Sequence, residues 1–410
     1  MQVVIMSELY NLPNGWEWTS IAKTVLKTEN KNPLAEPNVY FTYIDISSVD
    51  NQMYRIKEPK YLIGHEAPSR AKKEVFIDDI IFATTRPNLK NIAIVLDDYE
   101  NPIASTGFCV LRAQENIDSK FLFYFLFTND LSEQVEAKIR GAQYPAISDK
   151  DLMSCVIPLP PLPEQQRIVS KLDLLFEIID KSIALHQKNI DEANVFMGSV
   201  LNDVFGELKI NKTIPLKDIT TKIGSGATPS GGQKAYKTKG ISLIRSMNVH
   251  DYGFRTKGLA FIDDSQAKKL NNVAIVENDV LLNITGASVA RCCIVDKDYL
   301  PARVNQHVSI LRLKDGMIPS FLHYYLISPS IKSDLLFSSS GGATREAITK
   351  SMLEEFQVPV VSLSIQQKTV KYLNEISQKI EKVKSVQKEK MANLKALKAS
   401  ILDSAFRGAL

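Results

Sequence analysis

The side chains of this chain with the clearest chemical use are polar groups concentrated in loops. Arg, Lys, Asn and Gln match the hydrogen-bonding edges of guanine and adenine, whereas Ser, Thr and backbone amides bind phosphate groups. The candidates in the first half are Arg70, Lys72, Lys73, Thr85, Arg86, Asn88, Lys90, Gln143 and Tyr144. Those in the second half are Ser225, Thr228, Ser230, Arg245, Asn248, Thr285, Ser288, Arg291, Asn305, Gln306, His307, Thr344 and Arg345. One such loop is usually a solvated turn, but a set of them at matching places in two halves favours binding of DNA.

Sequence patterns of catalysis are scarce. The glycine-rich segment 223–232 lacks the Gly-Lys-Ser/Thr ending of a phosphate-binding loop and the third spaced glycine of a dinucleotide-binding motif. Asp45, Glu58 and Lys60 imitate the triad of a metal-dependent nuclease, but Glu-x-Lys recurs at 136–138 and 207–209, so surface charge is the favoured interpretation. The tetrapeptide with which an adenine methyltransferase holds a flipped base is also missing. We therefore predict a chain with no catalytic site and no metal site of its own.

The composition is that of a globular protein with more than one domain. The chain has 410 residues, of which 44% are hydrophobic and 23% charged, and its net charge of +4 neither requires nor excludes a polyanionic partner. The cysteines, Cys109, Cys155, Cys292 and Cys293, form no Cys-x-x-Cys pair, which favours a reducing compartment over secretion. The longest apolar run covers only residues 121–127, and the N-terminus shows no basic leader. We expect a cytoplasmic protein that neither spans nor crosses a membrane.

The chain contains an internal repeat with a period near 200 residues. Asp79 matches Asp279 at an offset of 200, and Gln165 matches Gln366 at an offset of 201 after one inserted residue. The register holds over long stretches, which chance matches do not do. A unit of this length is a duplicated module rather than a solenoid array. We therefore expect a pseudo-twofold tandem repeat.

Two long helices are predicted, one at the end of each repeat. After the proline-rich segment 158–163, residues 164–205 contain no proline and a single glycine, and residues 364–406 contain neither. Apolar residues recur at steps of three, four or seven, the pattern of a coiled coil. About 42 residues rise about 63 Å, which exceeds the width of a typical domain, so the helices must pack on each other. The first is net acidic and the second net basic, and the connectivity favours an antiparallel pair.

Each long helix follows a globular part with the pattern of a mixed α/β domain. Strand-like runs lie at 39–49, 75–83 and 91–96 and again at 241–249, 273–284 and 291–295, and one amphipathic helix follows in each half, near 119–129 and 320–328. The predicted organisation is a first domain at 1–157, a central long helix at 158–205, a second domain at 206–358 and a C-terminal long helix at 359–410. The predicted fold class is α/β, with two similar domains separated by two long helices that form an antiparallel coiled coil.

These motifs resemble the specificity subunit of type I restriction-modification systems over nearly the whole chain. Segments 67–71 and 85–90 are similar to one class of that family's target recognition domains, and segments 225–230, 283–288, 304–307 and 344–346 are similar to another. Segments 13–18, 158–166 and 405–408 are similar to the family's opening and to the motifs at which its long helices begin and end. The second helix start, 359–367, departs from the motif because it has lost prolines.

The resemblance implies a non-catalytic subunit that binds double-stranded DNA. Each recognition domain is expected to read one half-site of a bipartite, asymmetric target, and the helix pair to set the length of the unread spacer. The implied partners are two modification subunits with adenine N6-methyltransferase activity and two restriction subunits that translocate and cleave DNA. S-adenosylmethionine, ATP and Mg are expected on those partners, and no cofactor on this subunit.

Two alternatives remain open from the sequence. One is a coiled-coil assembly scaffold without sequence-specific DNA binding, which would enrich no sequence from a random duplex pool. The other, less favoured, is a metal-dependent nuclease using Asp45, Glu58 and Lys60, which Mg²⁺ and supercoiled DNA would reveal. The bases read and the spacer length depend on loop geometry, so the sequence does not predict them.

Overall fold

The computed structural model describes residues 9–141, 143–208, 212–337 and 347–410. The chain divides into two units: the first extends to His186 and resumes at Glu389, and the second extends from Gln187 to Lys388. Each unit therefore combines a globular part with a stretch of both long helices. The domain boundaries near residues 157, 205 and 358 stay a prediction.

The first unit is an α/β domain with short strands and helices. Its strands are β1 Glu17–Ser20, β2 Val25–Leu26, β3 Tyr40–Ile44, β4 Val49–Asp50, β5 Arg55–Ile56, β6 Lys60–Ile63, β7 Ala71–Glu74, β8 Ile80–Ala83, β9 Ile92–Ile94, β10 Ile103–Ser105, β11 Phe108–Ala113 and β12 Val156–Leu159. Its helices are α1 Ser119–Phe125, α2 Asn129–Glu136, α3 Asp149–Met153 and the first part of α4 Leu162–Glu207.

The second unit repeats this order of strands and adds two short helices. Its strands are β13 Thr213–Pro215, β14 Thr220–Ser225, β15 Ile241–Ile244, β16 Val249–His250, β17 Gly253–Phe254, β18 Ala260–Ile262, β19 Ala274–Ile275, β20 Val280–Asn283, β21 Cys292–Ile294, β22 Ala302–Val304, β23 Val308–Leu313 and β24 Gln357–Pro359. Its helices are α5 Leu216–Ile219, α6 Asp264–Lys269, α7 Pro319–Ile327, α8 Pro329–Phe337, α9 Lys350–Glu355 and part of α10 Leu363–Phe406.

The sheets of the two units correspond strand by strand. An antiparallel sheet has the order β2-β11-β8-β9 in the first unit and β14-β23-β20-β21 in the second. A mixed sheet has the order β6-β3-β10-β7 in the first unit and β18-β15-β22-β19 in the second. Val110 lies opposite Ile81, and Ile310 lies opposite Leu281, so even the register repeats at an offset of 200. The predicted α/β fold with two similar domains is confirmed.

One inner strand of each antiparallel sheet, β8 or β20, is buried on both faces. In β8, Ile80 and Phe82 face a core shared with α1 and α4, whereas Ile81 and Ala83 face a core shared with the mixed sheet. Successive side chains of a strand point to opposite faces, so a strand between two cores is apolar throughout. This is why β8 and the first three residues of its counterpart β20 appear in the sequence as short continuous apolar runs.

Some predicted elements are divided in the structure. The predicted strand at 75–83 is interrupted because the Asp79 carboxylate accepts the Phe76 N–H (2.8 Å) and closes a turn before β8. The predicted helix at 119–129 ends at Phe125, and α2 begins at Asn129 because the Thr128 hydroxyl caps its first turn by accepting the Leu131 N–H (3.3 Å). Local capping hydrogen bonds thus shorten what the apolar pattern alone would extend.

A buried glutamine fixes the start of each long helix. Gln165 Oε1 accepts the Asp118 N–H (2.8 Å), and its Nε2 donates to the main-chain oxygens of Asn116 (3.0 Å) and Pro160 (2.8 Å). Gln366 makes the same set of bonds, to the Ile318 N–H and to two main-chain oxygens, each between 2.8 and 3.0 Å. The second helix therefore starts at Leu363 without the prolines of the first, because the glutamine makes the connection.

In the first unit, the two long helices pack in opposite directions. Lys398 of α10 binds Asp180 of α4 (2.7 Å), and the Arg167 guanidinium donates to the main-chain oxygen of Leu410 (2.9 Å). From Arg167 to Asp180 the residue number along α4 increases, whereas the number of the partner residue decreases from Leu410 to Lys398. The two segments are therefore antiparallel.

In the second unit, α4 and α10 share one core. Met197 and Leu201 of α4 are buried in the same cluster as Leu373 and Ile380 of α10. The predicted antiparallel coiled coil is confirmed. Among the described residues, neither the long helices nor the short ones combine the length and apolarity needed to span a bilayer.

Candidate nucleic-acid interface

Three of the predicted loops of the second unit meet in one hydrogen-bonded cluster. The Thr228 hydroxyl donates to Gln306 Oε1 (2.6 Å), and Gln306 Nε2 donates to His307 Nε2 (3.0 Å). Because an amide nitrogen can only donate, His307 Nε2 is the acceptor and the ring proton lies on Nδ1, which donates to Thr285 Oγ1 (2.5 Å). We call Thr228, Thr285, Gln306 and His307 the Gln306 cluster.

The main chain holds these loops together at the ends of neighbouring strands. Ile284, which follows β20, donates to the His307 oxygen (2.9 Å), and Gly226, which follows β14, donates to the Asn305 oxygen (3.1 Å). Gly226 is needed there because a Cβ would overlap the carbonyl oxygen of Val304 at the end of β22. Asn305 is buried, and its Oδ1 accepts the His307 N–H (3.1 Å). The cluster is therefore built on the sheets rather than on a free loop.

Arg245 and Asn248 are held within the domain. Asn248 is fully buried, its Oδ1 accepts the Arg245 N–H (3.1 Å), and its Nδ2 donates to the Arg255 oxygen (2.9 Å). The Arg245 guanidinium lies over the Tyr236 ring, 5.2 Å from its centroid, and donates to the Gly258 oxygen (2.5 Å). Within the described ranges, its buried Nε has no hydrogen-bond partner. Asn248 thus uses its amide inside the fold, and the Arg245 guanidinium is likewise engaged with groups of its own unit.

The remaining candidates of the second unit are scattered around these loops. Ser225 ends β14 and is exposed, as is Ser230. Ser288 and Arg291 are half-buried in the turn before β21. Two further candidates, Thr344 and Arg345, lie outside the described residues.

In the first unit, the structure brings two predicted loops together at Arg86 and Tyr144. The Arg86 guanidinium lies 5.8 Å from the centroid of the exposed Tyr144 ring. The Arg86 N–H donates to the Pro145 oxygen (2.7 Å), and Thr85 forms an antiparallel bridge with Ala146. Arg86 has a φ of 50°, in the left-handed region that is uncommon outside glycine. A guanidinium supported by an aromatic ring is well suited to binding bases or phosphates.

The lysine candidates of the first unit are engaged with protein groups. Lys73 forms an ion pair with Asp149, and Lys72 donates to the Asn32 side chain. Lys90 Nζ donates to a main-chain oxygen (3.4 Å), and burial lowers the pKa of its ammonium group. A DNA contact by any of them must compete with these bonds. Among the described residues of the first unit, Arg70, Asn88 and Gln143 are exposed candidates whose side chains make no such bond.

The residues of the nuclease alternative are arranged as surface charges. Lys60 Nζ binds Asp45 Oδ2 (2.5 Å), and Asp45 Oδ1 caps a short turn by accepting the Ser47 N–H (2.9 Å). Glu58 is exposed and pairs with its neighbour Lys57 (3.7 Å). In the part of the chain that the structure describes, there is no group of three or more His, Cys, Asp or Glu side chains that could hold a metal ion.

The sequence did not single out an aromatic residue that contacts a candidate arginine, nor the aspartate of a repeated aspartate–arginine ion pair. Tyr236 supports Arg245, but nothing in its sequence surroundings marks it. Asp79 binds the Arg112 guanidinium through both oxygens (2.7 and 2.9 Å), and Asp279 binds Arg312 in the same way. The repeat had already aligned both pairs, so identical charged residues at one offset were the available signal.

Comparison with known proteins decides the family. The profile described as type I restriction modification DNA specificity domain matches the chain twice, over residues 17–194 and 210–390. The chain belongs to this specificity family. Each match covers one globular part and a stretch of one long helix, so the internal repeat is a pair of specificity domains.

Solved members of the specificity family resemble the whole chain. A chain solved in work on complex assembly and conformational transition of the type I R-M system is 33% identical, with 98% of this chain and 100% of that chain covered and a TM-score of 0.76. The HsdS subunit from Thermoanaerobacter tengcongensis is 32% identical, with 99% and 100% covered and a TM-score of 0.51.

Curated relatives carry the same family name. The type I restriction enzyme EcoDI specificity subunit from Escherichia coli is 27% identical over 57% of this chain and 53% of that protein. The chain therefore spans about half the length of this relative.

Proposed function

We propose that this chain is the DNA-recognition subunit of a type I restriction-modification complex and that each unit reads one half of a bipartite duplex target. The observation that carries this proposal is that the two units have matching sheets but carry different side chains on their loops. The second unit presents the Gln306 cluster, whereas the first presents Arg86 on Tyr144. Different side chains select different bases, so the target is asymmetric.

The spacer between the half-sites is set by the long helices in this proposal. Helices α4 and α10 each continue from one unit into the other without a break. An α-helix rises about 1.5 Å per residue and resists stretching, so the number of residues in each long helix determines its length. The bases opposite the helices are then unread.

The chain acts without a catalytic site of its own, and its partners supply the chemistry. Two modification subunits bring adenine N6-methyltransferase activity with S-adenosylmethionine, and two restriction subunits bring ATP- and Mg-dependent translocation and cleavage. The support is membership of the specificity family and the likeness to a chain solved in work on complex assembly of the type I R-M system.

The test is to co-express the chain with its modification partner and to map N6-methyladenine in the host genome. We expect one split, asymmetric motif with a constant spacer. A random duplex pool selected on the purified complex should return the same motif. Methylation without a common motif, together with no enrichment from the pool, would show a scaffold instead. Cleavage of supercoiled DNA by the chain alone with Mg²⁺ would show a nuclease.

A further inference from the structure

The amide of Gln306 is exposed yet held by neighbours on both of its polar atoms. Its oxygen accepts from Thr228 (2.6 Å), and its nitrogen donates to His307 (3.0 Å). An exposed glutamine side chain ordinarily moves among several rotamers, and ordering it on binding costs entropy. Here that ordering is already present in the free protein.

The two bonds leave a definite set of free hydrogen-bonding positions. A primary amide has two N–H donors and two acceptor lone pairs. Thr228 occupies one position on the oxygen and His307 occupies one position on the nitrogen, so one N–H donor and one oxygen lone pair of the same amide remain. The same pair remains if the amide is turned over, because each neighbour can both donate and accept. The described residues provide no further partner for either position.

The neighbours that hold Gln306 are themselves fixed. His307 is bonded to Thr285 through its ring (2.5 Å) and to buried Asn305 through its N–H (3.1 Å). Thr228 lies two residues after Gly226, whose N–H is bonded to the Asn305 oxygen (3.1 Å). The free donor and acceptor thus project from a support that rests on β14, β20 and β22.

A donor and an acceptor on one amide match one base edge. In the major groove adenine presents the N7 acceptor beside the N6 donor, guanine presents two acceptors, and cytosine presents a donor. Resting on the proposed function, we propose that Gln306 reads the N6 and N7 positions of one adenine in the half-site bound by the second unit. Thr228 and His307 act as positioning residues that orient the amide.

The first experiment compares the target motifs of variants. The complex with the full chain is used to select from a random duplex pool, for the unchanged protein and for Gln306→Glu. The carboxylate offers only acceptors, which suit the N4 amino group of cytosine. We expect one adenine of one half-site to change to cytosine or to lose its preference, with the other half-site and the spacer unchanged. The control is Gln367→Glu, which adds the same charge at an exposed glutamine of the same unit, in α10 rather than in a predicted DNA-binding loop, and should leave the motif intact.

The second experiment tests the atom-level contact by binding affinity. A duplex with 7-deazaadenine at the assigned position lacks the N7 acceptor, and we expect it to bind the unchanged protein roughly tenfold more weakly. The Gln306→Ala complex should bind both duplexes equally, because alanine lacks the amide N–H that would donate a hydrogen bond to N7. Thr228→Val, which removes the hydroxyl that holds the amide, should give an intermediate discrimination.

The outcomes separate this inference from the proposed function. If the unchanged protein enriches no split motif, the proposed function fails. If it enriches a motif that Gln306→Glu and Gln306→Ala both leave unaltered, or if Gln306→Ala still discriminates against 7-deazaadenine, the reading of adenine by Gln306 is wrong while DNA recognition stands. If Gln306→Glu abolishes binding, the affinities of Gln306→Ala for the adenine duplex and the 7-deazaadenine duplex decide whether Gln306 reads adenine.

Discussion

The buried glutamine at the start of α4 predicts a large and localised loss of stability on substitution. We choose Gln165→Met, which keeps the length of the side chain but removes its amide. Three main-chain groups then lose their partners, namely the Asp118 N–H and the oxygens of Asn116 and Pro160. A buried polar group without a partner costs about 1–3 kcal/mol. Because part of this site is reached by water, we expect a total of about 3–5 kcal/mol.

The assay is urea unfolding followed by tryptophan fluorescence. The chain has 2 tryptophans, Trp16 and Trp18, and both belong to the first unit, which contains Gln165. With a urea m-value of about 2–3 kcal/mol/M, the loss corresponds to a midpoint lowered by about 1–2.5 M. The neighbouring Gln166 is exposed, so Gln166→Met is the matched control and should shift the midpoint by less than about 0.3 M.

A specific result would refute this reasoning. If Gln165→Met and Gln166→Met lower the midpoint equally, the three bonds contribute nothing beyond what water supplies. The equivalent pair of glutamines in the second unit allows the same experiment. Gln366→Met should destabilise that unit, and Gln367→Met, at an exposed position, should not. Unfolding is measured here by circular dichroism.

Three further predictions concern DNA reading, the spacer and pH. Arg86→Ala should weaken binding by about 1–3 kcal/mol and relax one half-site only, measured by motif selection; equal loss at both half-sites would indicate a general phosphate contact or misfolding. Inserting four residues after both Asn189 and Lys390 adds about 6 Å of helix and should lengthen the spacer mapped by methylation by one or two base pairs; an unchanged spacer contradicts the helix-length mechanism. Burial lowers the pKa of His323 below its usual 6.5, so the folded state takes up this proton less readily than the unfolded state. Stability should therefore fall as the pH drops below about 6.5, and His323→Leu should reduce that slope in urea titrations at several pH values.

The sequence predicted the fold through patterns that depend on few neighbours. The offset between Gln165 and Gln366 revealed the duplication, and the absence of proline from residues 164–205 predicted α4. A helix or a strand is determined largely by local propensity and by the spacing of apolar residues, both of which are visible in one sequence. The ends of short elements were harder to predict, because single hydrogen bonds determine them. The Thr128 hydroxyl caps the start of α2, and the Asp79 carboxylate closes the turn before β8.

The candidate interface was predicted as a set of loops but not as an arrangement of side chains. Lys73 and Asn248 have the right residue types, yet one is paired with Asp149 and the other is buried with its amide bonded to main-chain groups. Residue type shows which bonds a side chain can make, whereas its partners come from segments far away in the chain. Tertiary contacts therefore decide which candidates stay available to a ligand.

What the sequence determined by itself was the kind of molecule: a duplicated α/β domain, two long helices and loops rich in base-binding groups. The tertiary structure alone decided that Thr228, Gln306, His307 and Thr285 form one hydrogen-bonded cluster. These residues come from three separate loops, and only the pairing of β20 with β23 and the close approach at Gly226 bring them within hydrogen-bond distance. Periodicity is a local property of a chain, but the orientation of an amide depends on atoms that meet only after folding.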